Sequence, residues 1–440
     1  MSKGYLINEY GKYVIDDYSL FMEDFFNTYT VVYSLQKNLY YLYDDSTGIY
    51  FEWSEILQKQ TIKEYLDLID TSMWTPKLER QILSAIPANV SVVAKMDCKK
   101  NILTLSNGVL NLKTLQLVKF SKKNLSTWRL NIAYNPYAKS PRYDKFIEEI
   151  SCGDETMMLS LNEIMGYVLD ESIKAHKLFI FCGDGSNGKS LFCDILSAML
   201  ADKNVSNIPI TELNQKAFSR HFISDKRVNI VYENDTKMKL SQLFSGITKS
   251  IVTGDKINAE IKGGANYSFT SHLKMIIATN VLPEIDTIPN TAVTRRYLII
   301  PFSAYFGPEK ADKNLFSTLQ KEAEGILIRA IEGMKRLQEQ DYVFSYQKKS
   351  DKYLMHMVND AFPVVGFVNE KIVVNPKGKV LYSDLRKAYS EYCNEKGAYE
   401  IYIGNEFPVQ VKKILRDRNV RVEPLKSNGD RGLRGIQLKK

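Results

Sequence analysis

Residues 183–190 read Gly183-Asp184-Gly185-Ser186-Asn187-Gly188-Lys189-Ser190, and these residue types at this spacing suit phosphate chemistry. Glycines let backbone N–H groups converge on a β-phosphate without Cβ clashes, and a helix starting just after them adds its partial positive charge. Lys189 would reach the β- and γ-phosphates, and the Ser190 hydroxyl would complete a Mg²⁺ shell. The expected ligands are therefore ATP and Mg²⁺. The bland alternative is a glycine turn with an incidental lysine. Local context argues against it, because the motif is believable only between a strand and a helix.

That context is present. The apolar run Lys177-Leu178-Phe179-Ile180-Phe181-Cys182 has the length of a buried strand and feeds straight into the glycines. After Ser190, Leu191, Ile195, Leu196 and Met199 recur at helical spacing. A second apolar run, Val228-Asn229-Ile230-Val231-Tyr232-Glu233, ends in a carboxylate able to polarise water or hold the metal, with Asp235 as a possible helper. A third, Lys274-Met275-Ile276-Ile277-Ala278-Thr279-Asn280, ends in an amide that can orient water near a γ-phosphate. Beyond it, Arg295 and Arg296 precede the run Tyr297-Leu298-Ile299-Ile300. Paired arginines there are either surface charge or a finger reaching a neighbouring subunit's nucleotide, which would imply a ring. The candidate catalytic set is Lys189, Glu233, Asn280 and Arg295. The candidate metal contacts are Ser190, Glu233 and Asp235.

The rest of the chain frames this centre. It has 440 residues, 44% hydrophobic and 25% charged, enough for two or three cores in an ordinary globular protein. No apolar run is long enough to span a membrane, and the first residues lack a secretory-signal layout. Five scattered cysteines form no CxxC and four histidines no HExxH, so a structural zinc is not expected and a reducing cytoplasm fits best. Residues 1–140 read as an aromatic, strand-rich α+β region. Leu39 to Tyr43 and Ile49 to Phe51 should form a hairpin, and Asn107-Gly108 should be a tight turn between two strands. Its tyrosines either stack on single-stranded bases or sit half-buried in strands. Pro136 and Pro141 mark a boundary, followed by one helical stretch from about Tyr143 to Asp170.

Net charge is +8, and residues 376–440 hold 15 Lys/Arg against 8 Asp/Glu, a net +7. Leu381, Leu385, Ala388, Tyr389 and Tyr392 define one helix face, and Phe407, Val411, Ile414 and Leu415 a second. Val420 to Val422 is the next expected strand, residues 426–435 a flexible basic loop, and Ile436 to Leu438 a last strand. This is a winged-helix layout. Lys412, Lys413 and Arg416 would face DNA from the second helix, and Arg431 and Arg434 from the loop. The alternative is a winged helix used for protein docking or ring stability.

These segments, in this order, resemble superfamily 3 helicases of the phage, plasmid and poxvirus-type primase–helicase group. Asn162 to Leu169 resembles the family's helix before the first strand, and Gly185 to Ser190 its usual glycine loop. Lys274 to Asn280 resembles its motif C, and Lys321 to Gly333 its closing helix; Leu105 to Leu112 resembles the domain that precedes it. The resemblance implies an AAA+ P-loop α/β core over 141–345, an N-terminal α+β domain over 1–140 and a winged helix over 360–440. It also implies a homo-oligomeric ring, a hexamer, threading single-stranded DNA 3′ to 5′ in the replication of a phage, plasmid or genomic island. The family's finger lies six residues after a proline, which places it at Arg295 after Pro289. The family's DNA-tracking hairpin would be residues 257–269, with Lys262 at its tip and Lys256 in support; an ordinary surface hairpin is the alternative. Two departures stand out. Glu233 is followed by Asn234, not a second acid, which leaves the role of Asp235 open. Residues before Pro141 contain no histidine and too little length for a primase–polymerase, so no primer synthesis is expected. The rival functions are an origin-binding initiator that uses ATP only to assemble, and a DNA translocase that does not separate strands.

Overall fold

Turn dipeptides, caps and alternating apolar residues dictate the elements of the N-terminal third. A computed structural model describes residues 3–233, 238–243, 246–261, 266–309, 312–427 and 430–439, and the chain divides into two compact units, Met1–Ala138 and Lys139–Lys440.

The first unit opens with β1 (Tyr5–Ile7), β2 (Tyr13–Ile15) and α1 (Tyr18–Thr28), which starts where the Asp17 carboxylate accepts from the N–H groups of Ser19 and Leu20. Then come β3 (Val31–Ser34), β4 (Leu39–Asp44), β5 (Ile49–Glu52), α2 (Glu55–Ile69), α3 (Pro76–Asn89) and β6 (Ser91–Val93). The expected hairpin is β4–β5, its turn tied by Asp44 to Ser46 and Thr47. Tyr41, Tyr43 and Tyr50 are buried, so these tyrosines serve the core and offer no base a stacking face. A second sheet holds β7 (Ile102–Leu105), β8 (Gly108–Asn111) and β9 (Leu117–Val118). The tight turn sits one residue earlier than expected. Ser106 and Asn107 make it, while Gly108 is already paired with Leu105 at φ 149°, which a side chain would resist.

In the second unit, α4 (Pro141–Ile150) and α5 (Glu155–Leu169) replace the single helix expected there. Cys152 and Gly153 take left-handed backbone angles between them, and the Asp154 carboxylate then caps α5. Next come β10 (Leu178–Cys182), α6 (Lys189–Leu200), β11 (Val205–Ser206), α7 (Ile210–Gln215), α8 (Ala217–His221), β12 (Val228–Glu233), α9 (Leu240–Leu243) and α10 (Gly246–Thr253). They are followed by β13 (Lys256–Glu260), β14 (Asn266–Thr270), β15 (Lys274–Thr279), α11 (Thr291–Thr294) and β16 (Tyr297–Pro301). Five strands form one sheet in the order β11-β12-β15-β10-β16, every neighbour parallel. Burial on both faces explains why β10, β12 and β15 read as unbroken apolar runs. After α12 (Leu315–Lys321), α13 (Ala323–Glu339) crosses α5 closely. A Cβ on Gly166 would lie 2.2 Å from the Ala330 carbonyl oxygen, and one on Gly333 2.3 Å from that of Asn162. Beside this crossing Glu163, fully buried, accepts from Arg336 Nε at 2.9 Å and from the Ser345 N–H at 2.9 Å.

The C-terminal part adds α14 (Gln347–Ala361), α15 (Pro363–Lys371), β17 (Ile372–Leu381), α16 (Tyr382–Lys396), α17 (Glu406–Asp417), β18 (Glu423–Ser427) and β19 (Asp430–Leu438). The two expected helices are α16 and α17, with Leu385, Tyr389, Tyr392, Phe407, Val411, Ile414 and Leu415 buried. Two expectations are corrected and one strand is new. β17 has no counterpart among the elements expected from the sequence; it bulges between Val374 and Lys379 and so absorbs Pro376, which has no N–H to give. The strand placed at Val420 to Val422 falls at β18 instead. The flexible basic loop is mostly β19, whose pairing with β17 and β18 takes up Arg431 and Arg434. One apolar core runs from the parallel sheet through α14 and α15 into α16, α17 and β19. No helix among the described residues is long and apolar enough to cross a membrane.

Candidate nucleotide site

The glycine loop leaves the end of β10 and enters α6, as the motif requires. Gly183, Gly185 and Gly188 take φ of 154°, 93° and 85°, and Ser186 is also left-handed at 48°. A Cβ on Gly188 would come within 2.4 Å of Ile150 Cγ2, so only glycine fits. Asn187, 2% exposed, pins the loop: its amide Nδ2 donates to the Phe302 carbonyl at 3.2 Å and its Oδ1 accepts from the Lys189 N–H at 3.4 Å. Phe306 N–H donates to the Ser186 carbonyl at 2.7 Å from the other side. Asp184 and Ser190 are exposed, Ser190 in the first turn of α6. The result is a rigid concave loop with a helix N-terminus beneath it and a hydroxyl at its rim, which fits a phosphate chain and a metal beside it.

Sheet register gathers the other candidates on this edge. Cys182, Thr279 and Glu233 are in register across β10, β15 and β12. Gly183, Asn280 and the end of β12 are thus adjacent at the carboxyl edge of the sheet, where open α/β sheets bind ligands. Lys189 Nζ donates to Asn280 Oδ1 at 2.7 Å and to the Gly183 carbonyl at 3.0 Å. Burial holds the Lys189 ammonium below the ordinary lysine value, against the opposing pull of nearby Cys182, Cys193 and Asp184. Glu233 closes β12 on the same edge. Asp235 and Lys262 lie outside the described residues.

Arg295 is not brought to this edge. Tyr297 pairs with Leu178 at the start of β10, so exposed Arg295 sits at the opposite end of the sheet. At about 3.3 Å per residue, the strand from Leu178 to Gly183 alone puts roughly 17 Å between that end and the glycine loop. Its carbonyl accepts from Lys177 Nζ at 2.5 Å. Burial pushes that lysine down to about 8, with Asp351 opposing and Arg295 assisting.

Of the DNA candidates, Lys256 is exposed at the start of β13, which pairs with β14 as the expected hairpin. Sequence reasoning missed what holds this hairpin. Arg220 donates to the carbonyls of Leu213 (2.8 Å), Asn214 (2.9 Å) and Asn258 (3.3 Å), riveting α7 to β13, while His221 Nδ1 lies 2.7 Å from Tyr267 Oη on β14. Nothing local in α8 announces contacts this distant in sequence. Lys413 and Arg416 are exposed on α17, whereas the Lys412 ammonium lies 5.3 Å over the Tyr382 ring. Arg431 and Arg434 are exposed on β19; Arg431 faces Lys426 on β18, while Arg434 lies between Lys379 on β17 and Glu423 on β18. The facing like charges of Arg431 and Lys426 cost repulsion across the ladder, whereas Glu423 opposite Arg434 offsets its charge.

Comparison with known proteins covers both units. Residues 30–152 match the family described as D5 N terminal like, and residues 181–296 match a family of unknown function, DUF5906. No curated protein matches the chain. Among solved structures, the apo C-terminal region of NrS-1 (residues 305–718) is similar, with a TM-score of 0.52 at 14% identity over 96% of this chain and 98% of that one. Two A-form apo structures of the same region give TM-scores of 0.53 at 14% and 0.54 at 15% identity, with the same coverage. At such identity the likeness is one of fold.

Proposed function

We propose that this chain is a replication helicase of the phage, plasmid and poxvirus primase–helicase type, an AAA+ ATPase of superfamily 3 that works as a ring, a hexamer by family likeness. A D5 N terminal like segment ahead of a glycine-loop α/β unit supports the type, as does the fold shared with the NrS-1 C-terminal region. The strand order β16-β10-β15-β12-β11, with the loop after its second strand and Asn280 after its third, supports the ATPase core.

The observation that carries the reading is the division of the candidate set between two edges of one sheet. Lys189 and Asn280 are hydrogen-bonded at the carboxyl edge with Glu233 in the same row, while Arg295 is a strand's length away. An arginine so placed can act only on another copy's nucleotide, which calls for head-to-tail packing and closure into a ring. In each site the loop N–H groups and Lys189 would hold the phosphates, Glu233 would take a proton from water, and Asn280 would orient that water. Mg²⁺ against Ser190 would neutralise phosphate charge. The β13–β14 hairpin, with Lys256 and Lys262, would grip the strand in the channel. The cations on α17 and β19, in a winged-helix arrangement completed by β17, would contact duplex DNA at loading.

A forked duplex tests this. The wild type should separate it with ATP, and Glu233→Gln should bind ATP and DNA but unwind at least a hundredfold more slowly. Unwinding retained by Glu233→Gln would refute the mechanism. ATPase activity without strand separation in the wild type would favour the translocase or initiator reading.

A further inference from the structure

Net charge hides a sharp division inside the first unit. Residues 1–94 carry 7 Lys/Arg and 13 Asp/Glu, a net −6, whereas residues 95–129 carry 8 Lys/Arg against one acid, Asp97, a net +7. The second figure equals that of the C-terminal segment, and only cancellation conceals it. Seven of the eight cations are exposed lysines; the other, Arg129, is half-buried.

The fold draws five of them together. Ile102 pairs with Asn111 in the β7–β8 ladder, and Leu112 N–H donates to the Asn101 carbonyl at 2.9 Å, so Lys100 and Lys113 leave the two strands side by side. Lys99 Nζ donates to Asn124 Oδ1 at 3.1 Å, in the short 3-10 turn Lys122–Asn124 that presents Lys122 and Lys123. Asp97 N–H donates to the Leu125 carbonyl at 3.0 Å, clamping the two turns together. The carboxylate of Asp97 is turned to its own scaffold, accepting from the Thr127 N–H at 2.8 Å and the Thr127 hydroxyl at 2.5 Å. Elsewhere in this unit lysines find acids: Lys3, Lys59 and Lys63 pair with Asp24, Glu55 and Asp67. Among the described residues, none of the five clustered lysines has a carboxylate within ion-pair distance. Lys122 Nζ instead donates to the Thr30 hydroxyl at 2.7 Å.

A solvated face normally mixes both signs, and grouping ammonium groups without counter-charges costs self-repulsion. Protein-docking surfaces centre on apolar or aromatic side chains. Within 95–129 the exposed large apolar side chains are Leu117 and Val118 on β9, and the two turns that carry the five lysines expose none. What such a surface fits is a polyanion read through its charge alone. Resting on the reading that this chain handles DNA, we propose that Lys99, Lys100, Lys113, Lys122 and Lys123 form a sequence-independent nucleic-acid backbone contact on the N-terminal unit. It shares no residue with the hairpin or with the C-terminal cations. Its binding is governed by counterion release, so it strengthens as salt falls and tolerates any base sequence.

The test is fluorescence anisotropy of labelled single-stranded and duplex oligonucleotides with the full chain across a salt series. Lys99→Gln, Lys100→Gln, Lys122→Gln and Lys123→Gln are combined, with the same four changed to Arg as the rescue and Lys59→Gln with Lys63→Gln as the control. The Gln set should weaken binding about tenfold or more at low salt. It should also flatten the plot of log affinity against log salt by about 0.7 per lost contact on single strands, or about 0.9 on duplex. The Arg set and the control should match the wild type. Unchanged affinity and slope on both oligonucleotides, in a wild type that binds DNA, overturns this contact and leaves the helicase reading standing. So does a Gln set that loses only polyglutamate binding, which would assign the face to an acidic protein. A wild type that binds no DNA overturns both.

Discussion

Lys274 begins β15 with its ammonium fully out of water, donating to the Asp170 carbonyl and, at 3.1 Å, to that of His272, and lying 4.7 Å over the Tyr167 ring. Desolvation pushes the group down to about 7, with Arg227 assisting and the charges of Asp170 and Glu171 opposing. The folded pKa is depressed, so between about 7 and the ordinary lysine value the unfolded chain holds the extra proton. Stability therefore rises with pH through that window. Relative to Lys274→Met, the wild type should gain stability as pH is raised from about 7 toward 10, read as urea midpoints. Parallel pH profiles for the two proteins would show that Lys274 stays charged. Residue types alone marked Lys189, Glu233 and Asn280, because glycine-loop chemistry leaves a local pattern. They gave no sign that Lys189 and Asn280 touch, or that Arg220 clasps a strand 38 residues away.

Among elements, the α5–α13 crossing depends on two glycines facing carbonyl oxygens of the opposite helix at little over 2 Å from where a Cβ would stand. Gly333→Ala must push the helices apart and should cost about 1–3 kcal/mol or more, seen as a lower urea midpoint at unchanged m-value. A substitution with no effect would mean the helices slide freely, which the buried Glu163–Arg336 pair beside them opposes. Apolar spacing located the buried strands β10, β12, β15 and β16 and the helices α6, α16 and α17 of the second unit, but passed over α7 to α10, α14 and α15. It failed where a rule of thumb met a compensation. A proline-containing strand survives at β17 because a bulge accepts the ring, and a long helical pattern splits at Cys152–Gly153 because Asp154 can cap a new start.

For the whole molecule, what carries the reading is that the candidate residues stand at two opposite ends of the parallel sheet. Subunits carrying Arg295→Ala should keep an intact glycine loop, and subunits carrying Lys189→Ala an intact arginine. Mixing them should restore part of the ATPase activity that each lacks alone, since some shared sites then contain both wild-type residues. No recovery in rings shown by mass to be mixed would refute site sharing. One apolar core joins the parallel sheet to α16, α17 and β19, so the C-terminal cations are packed on the same body as the glycine loop.

Residue identity and local spacing determined the glycine loop, the strand–loop–helix around it, the apolar strands bearing Glu233 and Asn280, and the two C-terminal helix faces. Each of these is a short-range pattern imposed by backbone geometry. Only the tertiary structure decided that Asn280 meets Lys189 while Arg295 stands at the far edge, because strand order and register are set by packing between distant segments. It also decided that Arg431 and Arg434 lie on a strand and that lysines from two separate turns share one face. Charge counts along a chain sum over neighbours in sequence, and the fold chooses which of those charges become neighbours in space.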